Sequence, residues 1–351
     1  MIINRFCSPA HLLLFAQAEL RSLRRNLRTR RALKHVIFLI ADHFEPVGYD
    51  NAGLKAYFDD YEALAARHRD SRGERPRITW FYPGEERRVI DAVNDMAQKG
   101  LGEIELHIHH GKGTELADVA CGEKLKELIN SRLDMLRDSK EPQERRYAFV
   151  HGMWALDNSR RGMYCGVNNE LEVLRDTGCF ADFTFPAWGP MQPAKVSSIY
   201  YAADNPGRPK SYNTGKDAEV GRKQSGDLLI FEGPAAGSLE ILLENPTAAV
   251  KTVDSWVKEH ICVIGREEWI FVKTDIHSMA TRYKERVFEE SIFDRIFSYL
   301  EEKYNGTKEY ALHYATAREA YNIVKAAEDG MAGNPGDYRD YSVKPYADKN
   351  D

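Results

Sequence analysis

The chain has 351 residues, enough for a large hydrophobic core, and a formal net charge of −5. That balance argues against a global basic field for nucleic acid, and no apolar run approaches the length of a transmembrane helix. The cysteines Cys7, Cys121, Cys165, Cys179 and Cys262 are odd in number, with no Cys-x-x-Cys pair, which argues against a disulfide scaffold or zinc ribbon and fits a reducing, cytoplasmic setting.

Residues 1–34 read as a basic helical extension, with Leu12-Leu13-Leu14-Phe15 ahead of Arg21, Arg24, Arg25, Arg28, Arg30 and Arg31. Signal peptides put positive charge before the apolar stretch, and here most of it follows. Such a segment either touches a membrane surface or packs as a solvated helix on the outside of the domain, and the second is the expectation. From residue 35 strands and helices alternate. His35–Ala41 is a buried strand, Leu54–Arg69 a helix, Arg77–Tyr82 a strand and Glu85–Lys99 a helix. The third strand lies in Glu103-Ile104-Glu105-Leu106-His107-Ile108-His109-His110-Gly111. Lys124–Arg137 is a charged helix, Tyr147–His151 a short strand, Asn169–Thr177 a helix stopped by Gly178, and Phe180–Phe185 a strand. A Pro- and Gly-rich loop runs from Pro186 to about Gly226. Then come the strand Leu228–Phe231, the helix Ala248–His260, the strand Trp269–Thr274 and the helix Tyr283–Tyr304. A last strand, Tyr310–Tyr314, precedes the helix Ala317–Ala327, and residues 331–351 form a polar tail.

Alternating units with continuously apolar strands argue for a parallel sheet covered by helices. Seven or eight of them suggest a single α/β domain over residues 35–330, closed into a barrel and carrying one long loop insertion. Active sites of such barrels lie at the C-terminal ends of the strands, so suspicious polar residues should fall there.

They do. A strand turns alternate side chains to one face, so His107 and His109 leave together and can grip one divalent cation. Asp42 follows the first strand, where a carboxylate serves as ligand, base or turn cap. With the histidine strand two units later, a site role is the expectation, and His43 and His110 stand as reserve ligands. The fourth strand runs into His151-Gly152-Met153-Trp154, then Asp157-Asn158; Trp154 either stacks on a sugar or plugs the top of the barrel. In the 186–226 loop, Trp188, Gln192, Tyr200 and Tyr201 are expected to border the cleft, because long aromatic loops are usually functional. The strand from Trp269 leads into Lys273-Thr274-Asp275-Ile276-His277, and His277 is placed as a general acid or further ligand. Asp42, Asp275 and His151 compete for the role of base.

Three pieces in this order resemble the polysaccharide deacetylase family: an Asp motif after strand one, a His-rich motif after strand three and a late strand ending in His. Phe149-Val150-His151-Gly152-Met153-Trp154, followed by Asn169-Glu170-Leu171-Glu172-Val173-Leu174 and Gly178-Cys179-Phe180-Ala181-Asp182, is similar to the family's middle stretch. Thr316-Ala317-Arg318-Glu319-Ala320-Tyr321-Asn322 resembles C-terminal segments of exopolysaccharide-associated members. The resemblance spans residues 35 to 325. It implies an irregular (β/α)₇ barrel and a divalent metal, often zinc, held by one Asp and two His. It also implies an Asp base, a late His acid and removal of an acetyl group from a sugar. On this chain the matching positions are Asp42, His107 and His277, with His109 substituting for the family's second histidine, whose usual position is Gly111. The family's second aspartate is His43 here, and its bracing arginine falls near Val150.

The expected function is therefore metal-dependent removal of an acyl group, N-acetyl first, from a polysaccharide or glycan precursor. Three rivals remain. An amidohydrolase-like barrel would carry its His-x-His on the first strand. A glycosidase would need two carboxylates flanking the bond. A catalytically degenerate glycan binder would need neither.

Overall fold

The computed structural model of the protein describes residues 9–138, 140–141, 144–187, 189–235, 237–240, 249–280, 287–288 and 292–346. Its strands are β1 (Lys34–His43), β2 (Ile78–Tyr82), β3 (Gly102–Ile108), β4 (Tyr147–His151), β5 (Cys179–Asp182), β6 (Ile199–Ala202), β7 (Lys216–Asp217), β8 (Leu228–Phe231), β9 (Trp269–Ile276) and β10 (Tyr310–Tyr314). The helices are α1 (Pro9–Arg28), α2 (Asn51–Ala65), α3 (Arg87–Gln98), α4 (Gly122–Leu136), α5 (Glu170–Asp176), α6 (Ala249–Glu259), α7 (Ile292–Tyr304) and α8 (Ala317–Glu328).

All ten strands belong to one sheet. β1 pairs in parallel with β9 along residues 35–42 on one edge. Its other edge is shared, β10 lying beside residues 34–38 and β2 beside residues 40–43. The parallel ladder continues through β3, β4 and β5 to β8. Every residue of β1 and β9 is buried, as strands covered on both faces must be.

The sheet is rolled. Three strand spacings of about 4.8 Å would put β2 and β5 about 14 Å apart in a flat sheet. Yet the rings of Phe81 on β2 and Phe183 just past β5 have centroids 6.0 Å apart. At the far ends of the ladder, Phe231 on β8 and Phe271 on β9 approach to 5.5 Å. No strand ladder joins β8 to β9 among the described residues. The inner face holds Ile37, Leu39, Phe81, Val150, Phe183 and Phe271 in one apolar cluster, which α8 joins through Ala320, Ile323 and Val324. A capping box starts α8: the Thr316 hydroxyl accepts from Glu319 N, and the Glu319 carboxylate accepts from Thr316 N. A second cluster fills the outer face, between the sheet and helices such as α2, α3 and α4.

The basic extension forms α1, which docks on the end of α6. Arg25 donates to His260 O at 3.0 Å, Asn26 to Lys258 O at 2.9 Å, and Arg28 pairs with Glu267. Among the described residues no helix is long and apolar enough to cross a membrane.

Two departures from the sequence expectation bear on the site. β1 runs two residues further, to His43, so Asp42 lies inside a strand rather than after it. The expected 186–226 loop folds in part: β6 runs antiparallel to β8, and β7 pairs with β6. Of the helix expected at 283–304, the described parts are residues 287–288 and Ile292–Tyr304, both helical.

Candidate active site

Strand alternation decides which side chains meet. On β1, Ile37, Leu39 and Ala41 belong to the inner cluster, whereas Val36, Phe38 and Ile40 belong to the outer one. His43 therefore points inward and Asp42 outward, toward α2. On β3, Ile104, Leu106 and Ile108 face the outer cluster, so His107 turns inward and His109 follows it past the strand end.

His107, His109 and Glu45 converge there. Their Nε2 atoms lie 3.0 Å apart, and Glu45 Oε1 is 3.4 Å from His107 Nε2 and 2.8 Å from His109 Nε2. His107 Nδ1 donates to Val150 O at 2.9 Å, which fixes the ring and leaves Nε2 with its lone pair aimed at the group. Burial would raise the Glu45 carboxyl, but His107 and His109 beside it hold it well below the usual carboxylate range. Burial pulls His107 below its ordinary value, against the pull of Glu45. Two imidazoles and a carboxylate converging on one point suit a divalent cation such as zinc. The group opens on a cleft of about 430 Å³ lined also by Tyr82, Glu86, Arg132 and Tyr164.

Gly152 makes room for this arrangement. A Cβ at residue 152 would sit 2.4 Å from the His109 ring, so only glycine lets β4 end beneath it.

Two more imidazoles extend the row. His43 is fully enclosed, its ring centroid 5.0 Å from His107 and 4.6 Å from His277. Burial, with its cationic neighbours, keeps His43 well below its ordinary pKa, and its Nε2 has no hydrogen-bond partner among the described residues. His277 Nδ1 bonds Glu240 Oε1 at 2.7 Å. Burial lowers the affinity of His277 for a proton, but the hydrogen bond and charge of Glu240 outweigh it and raise the pKa.

Asp42 does not join the histidine pair. Its Oδ1 accepts from Ser278 N at 3.0 Å, and Oδ2 accepts from the hydroxyls of Ser278 and Tyr57. Burial raises it to about 6, with Ser278 opposing. Its contact is with the residue after His277, which it holds in place. Asp275 shares the inner face with Lys273, and burial raises its pKa while Lys273 and His277 oppose.

His151 belongs to another group. It lies with His110, Cys165 and Glu170, all buried. Glu170 Oε1 is 2.9 Å from His110 Nε2 and 3.4 Å from His151 Nε2, and the two Nε2 atoms are 3.1 Å apart. Burial pulls His151 down to about 4, against the opposing charge of Glu170.

The described residues nominated for glycan contact do not line that cleft. Trp154 is half-buried and packs against the outer cluster. Asn158 bonds Asn168 and Gly162 N within its own loop. Gln192 is buried, accepting from Ala187 N and donating to Glu232. Tyr200 donates to Tyr212 O and Tyr201 to Glu328, and both rings are buried because β6 packs on β8. Trp188 lies outside the described residues. Sequence reading missed Glu45, Glu240, Cys165 and Glu170. Only Glu45 carried a signal: it follows His43 by two, the spacing that links His107 to His109.

No family model matches the chain, and no curated protein matches it by sequence. Among solved structures it is similar to one titled "Crystal structure of putative polysaccharide deacetylase from Mycobacterium smegmatis". The TM-score is 0.47 and the identity 11%, over 86% of this chain and 92% of that one. A likeness that loose transfers no activity, so the side chains at the strand ends must carry the functional reading.

Proposed function

We propose that the protein is a metal-dependent hydrolase that removes an acyl group, N-acetyl in the first instance, from a glycan or polysaccharide precursor. The observation that carries this is the Glu45–His107–His109 group, whose acceptor atoms converge at the mouth of a cleft at the strand ends. The seven parallel strands β1 to β5, β8 and β9 form the irregular (β/α)₇ barrel of a divergent polysaccharide deacetylase, a reading supported by the close approach of Phe231 and Phe271. The unpaired Cys121, Cys165, Cys179 and Cys262 fit a cytoplasmic setting.

Glu45, His107 and His109 would hold the cation, for which zinc suits the nitrogen-rich set. When bound, such an ion lowers the pKa of a water ligand and polarises an acyl oxygen. The remaining work falls to the chain's own groups. Val150 O fixes His107 in the tautomer whose Nε2 is free to ligate. Glu240 raises the affinity of His277 for its proton and occupies its Nδ1, so Nε2 delivers the proton to the leaving amine or alkoxide. Asp42 positions His277 through the backbone of Ser278.

A glycan-binding protein without turnover is the second reading. It is favoured by the commitment of both Asp42 oxygens to Ser278 and Tyr57, away from the histidine pair. Acetate release from a panel of acetylated glycans separates the two. Release by the zinc-loaded protein that disappears in His107→Ala supports the hydrolase, and no release from any glycan supports the binder.

A further inference from the structure

The four groups around His151 serve neither the cleft nor the acid. We propose that His110, His151, Cys165 and Glu170 form a second, closed zinc site that pins the ends of β3 and β4 to the start of α5. It would be structural, with four protein ligands and no position for substrate.

The donor atoms fit in kind. His110 Nδ1 donates to Val119 O at 3.1 Å, and His151 Nδ1 donates to Gly152 O at 2.6 Å. A carbonyl oxygen only accepts, so each ring keeps its proton on Nδ1 and turns an Nε2 lone pair toward the other and toward Glu170 Oε1. Carbonyl partners of this kind orient histidine ligands in metal sites. Cys165 Sγ receives two backbone N–H groups, from Asn158 at 3.3 Å and Val167 at 3.5 Å. Such donors stabilise a thiolate once a cation takes the place of the thiol proton, which Cys165 Sγ otherwise donates to Val167 O and Glu170 Oε2. Glu170 Oε2 accepts from Asp157 N at 2.6 Å, which leaves Oε1 for the centre of the group.

They also lie close enough together to share one ion. Ligands about 2.0 to 2.3 Å from a tetrahedral zinc lie roughly 3.3 to 3.8 Å from one another. The two Nε2 atoms are 3.1 Å apart and lie 2.9 and 3.4 Å from Glu170 Oε1, at or a little under that span. All four donor atoms fall within 4.8 Å of one another.

They also fit in charge. Zinc with one thiolate, one carboxylate and two neutral imidazoles is neutral overall, which is what complete burial of all four side chains demands. Binding releases the Cys165 thiol proton to solvent. Calcium and magnesium, which need oxygen ligands, do not suit two nitrogens and a sulfur.

The surroundings show what such a site would hold. Between β4 and Cys165 the chain places six non-glycine residues at positive φ, and Met153, Trp154, Arg161 and Tyr164 among them are types that rarely adopt it. Gly111, next to His110, has φ +86°, and a Cβ there would sit 2.8 Å from Cys165 N. Several unfavourable backbone turns in one loop need a strong local anchor.

The test uses the full chain carrying His107→Ala and His109→Ala, purified without chelators, so that cleft metal is removed. About one equivalent of zinc should remain or be regained on adding zinc. Zinc-edge X-ray absorption should show one sulfur among nitrogen and oxygen ligands, and adding Cys165→Ser should remove it. No retained zinc, or bound zinc without sulfur, overturns the proposal and leaves a buried hydrogen-bonded network. If the double variant does not fold, cobalt-substituted wild type answers the same question. A thiolate-to-cobalt charge-transfer band supports the site, and its absence overturns it. Acetate release enters none of these readouts, so this proposal and the hydrolase reading fail separately.

Discussion

His109 and His110 are neighbours in the chain and belong to different worlds. His109 faces the cleft with His107 and Glu45, and both it and Glu45 are partly exposed. His110 turns to the other side and joins three side chains sealed from water. The open group keeps room for a substrate, whereas the closed group has all its donor atoms occupied by one another and by backbone carbonyls and amides. The pleat alone separates them. The difference teaches that a run of histidines is not one site: chemistry belongs to the face with access, and the other face holds the scaffold.

Truncating each group tests that division, and the largest contrast is in stability. Glu170→Ala leaves two neutral imidazoles, a thiol and the Asp157 amide buried without their shared partner and should cost about 1–3 kcal/mol. Glu45→Ala, at the cleft, should stay within about 1 kcal/mol. Urea denaturation of the two variants in the same buffer checks this, and equal losses would erase the distinction.

The proton donor comes next. His277→Ala should slow acetate release by about 10²- to 10⁴-fold while the metal content of the cleft is unchanged. A parallel loss of metal would make His277 a ligand instead. Gly152→Ala should have a smaller effect, because its Cβ displaces only the His109 ring. Cleft metal affinity should fall by about 10- to 100-fold, measured by competition with a chromophoric chelator.

The smallest effect is a shift in pH dependence. The pKa of His277 is raised, so its protonated form persists above the ordinary histidine value and activity should fall only as pH rises through the raised value. Glu240→Gln removes the charge that opposes burial. The alkaline limb of kcat/KM should then move to lower pH, and an unmoved limb would remove His277 from the role of acid.

Part of this was legible in the sequence. Period two puts His107 and His109 on one face, and the strand-end rule points to His277. Asp42 was harder. With the strand ending at Ala41 it reads as a loop carboxylate free to turn, but β1 continues to His43 and alternation sends Asp42 outward to Ser278 and Tyr57. Glu45 takes the place beside the histidines because it follows His43 by two. The buried group could not be read at all. His110 meets Glu170 across 60 positions, and no local pattern records a contact of that range. Tyr200 and Tyr201 look like cleft aromatics in an irregular loop. Pairing of β6 with β8 turns them into core, a tertiary effect that composition does not carry.

Acetate release from acetylated glycans by zinc-loaded protein, with His107→Ala and His277→Ala measured beside it, tests the central claim most directly. Release by wild type, none by His107→Ala and slowed release by His277→Ala is the expected result. Release unchanged in both variants would contradict a catalytic centre at the Glu45–His107–His109 cleft.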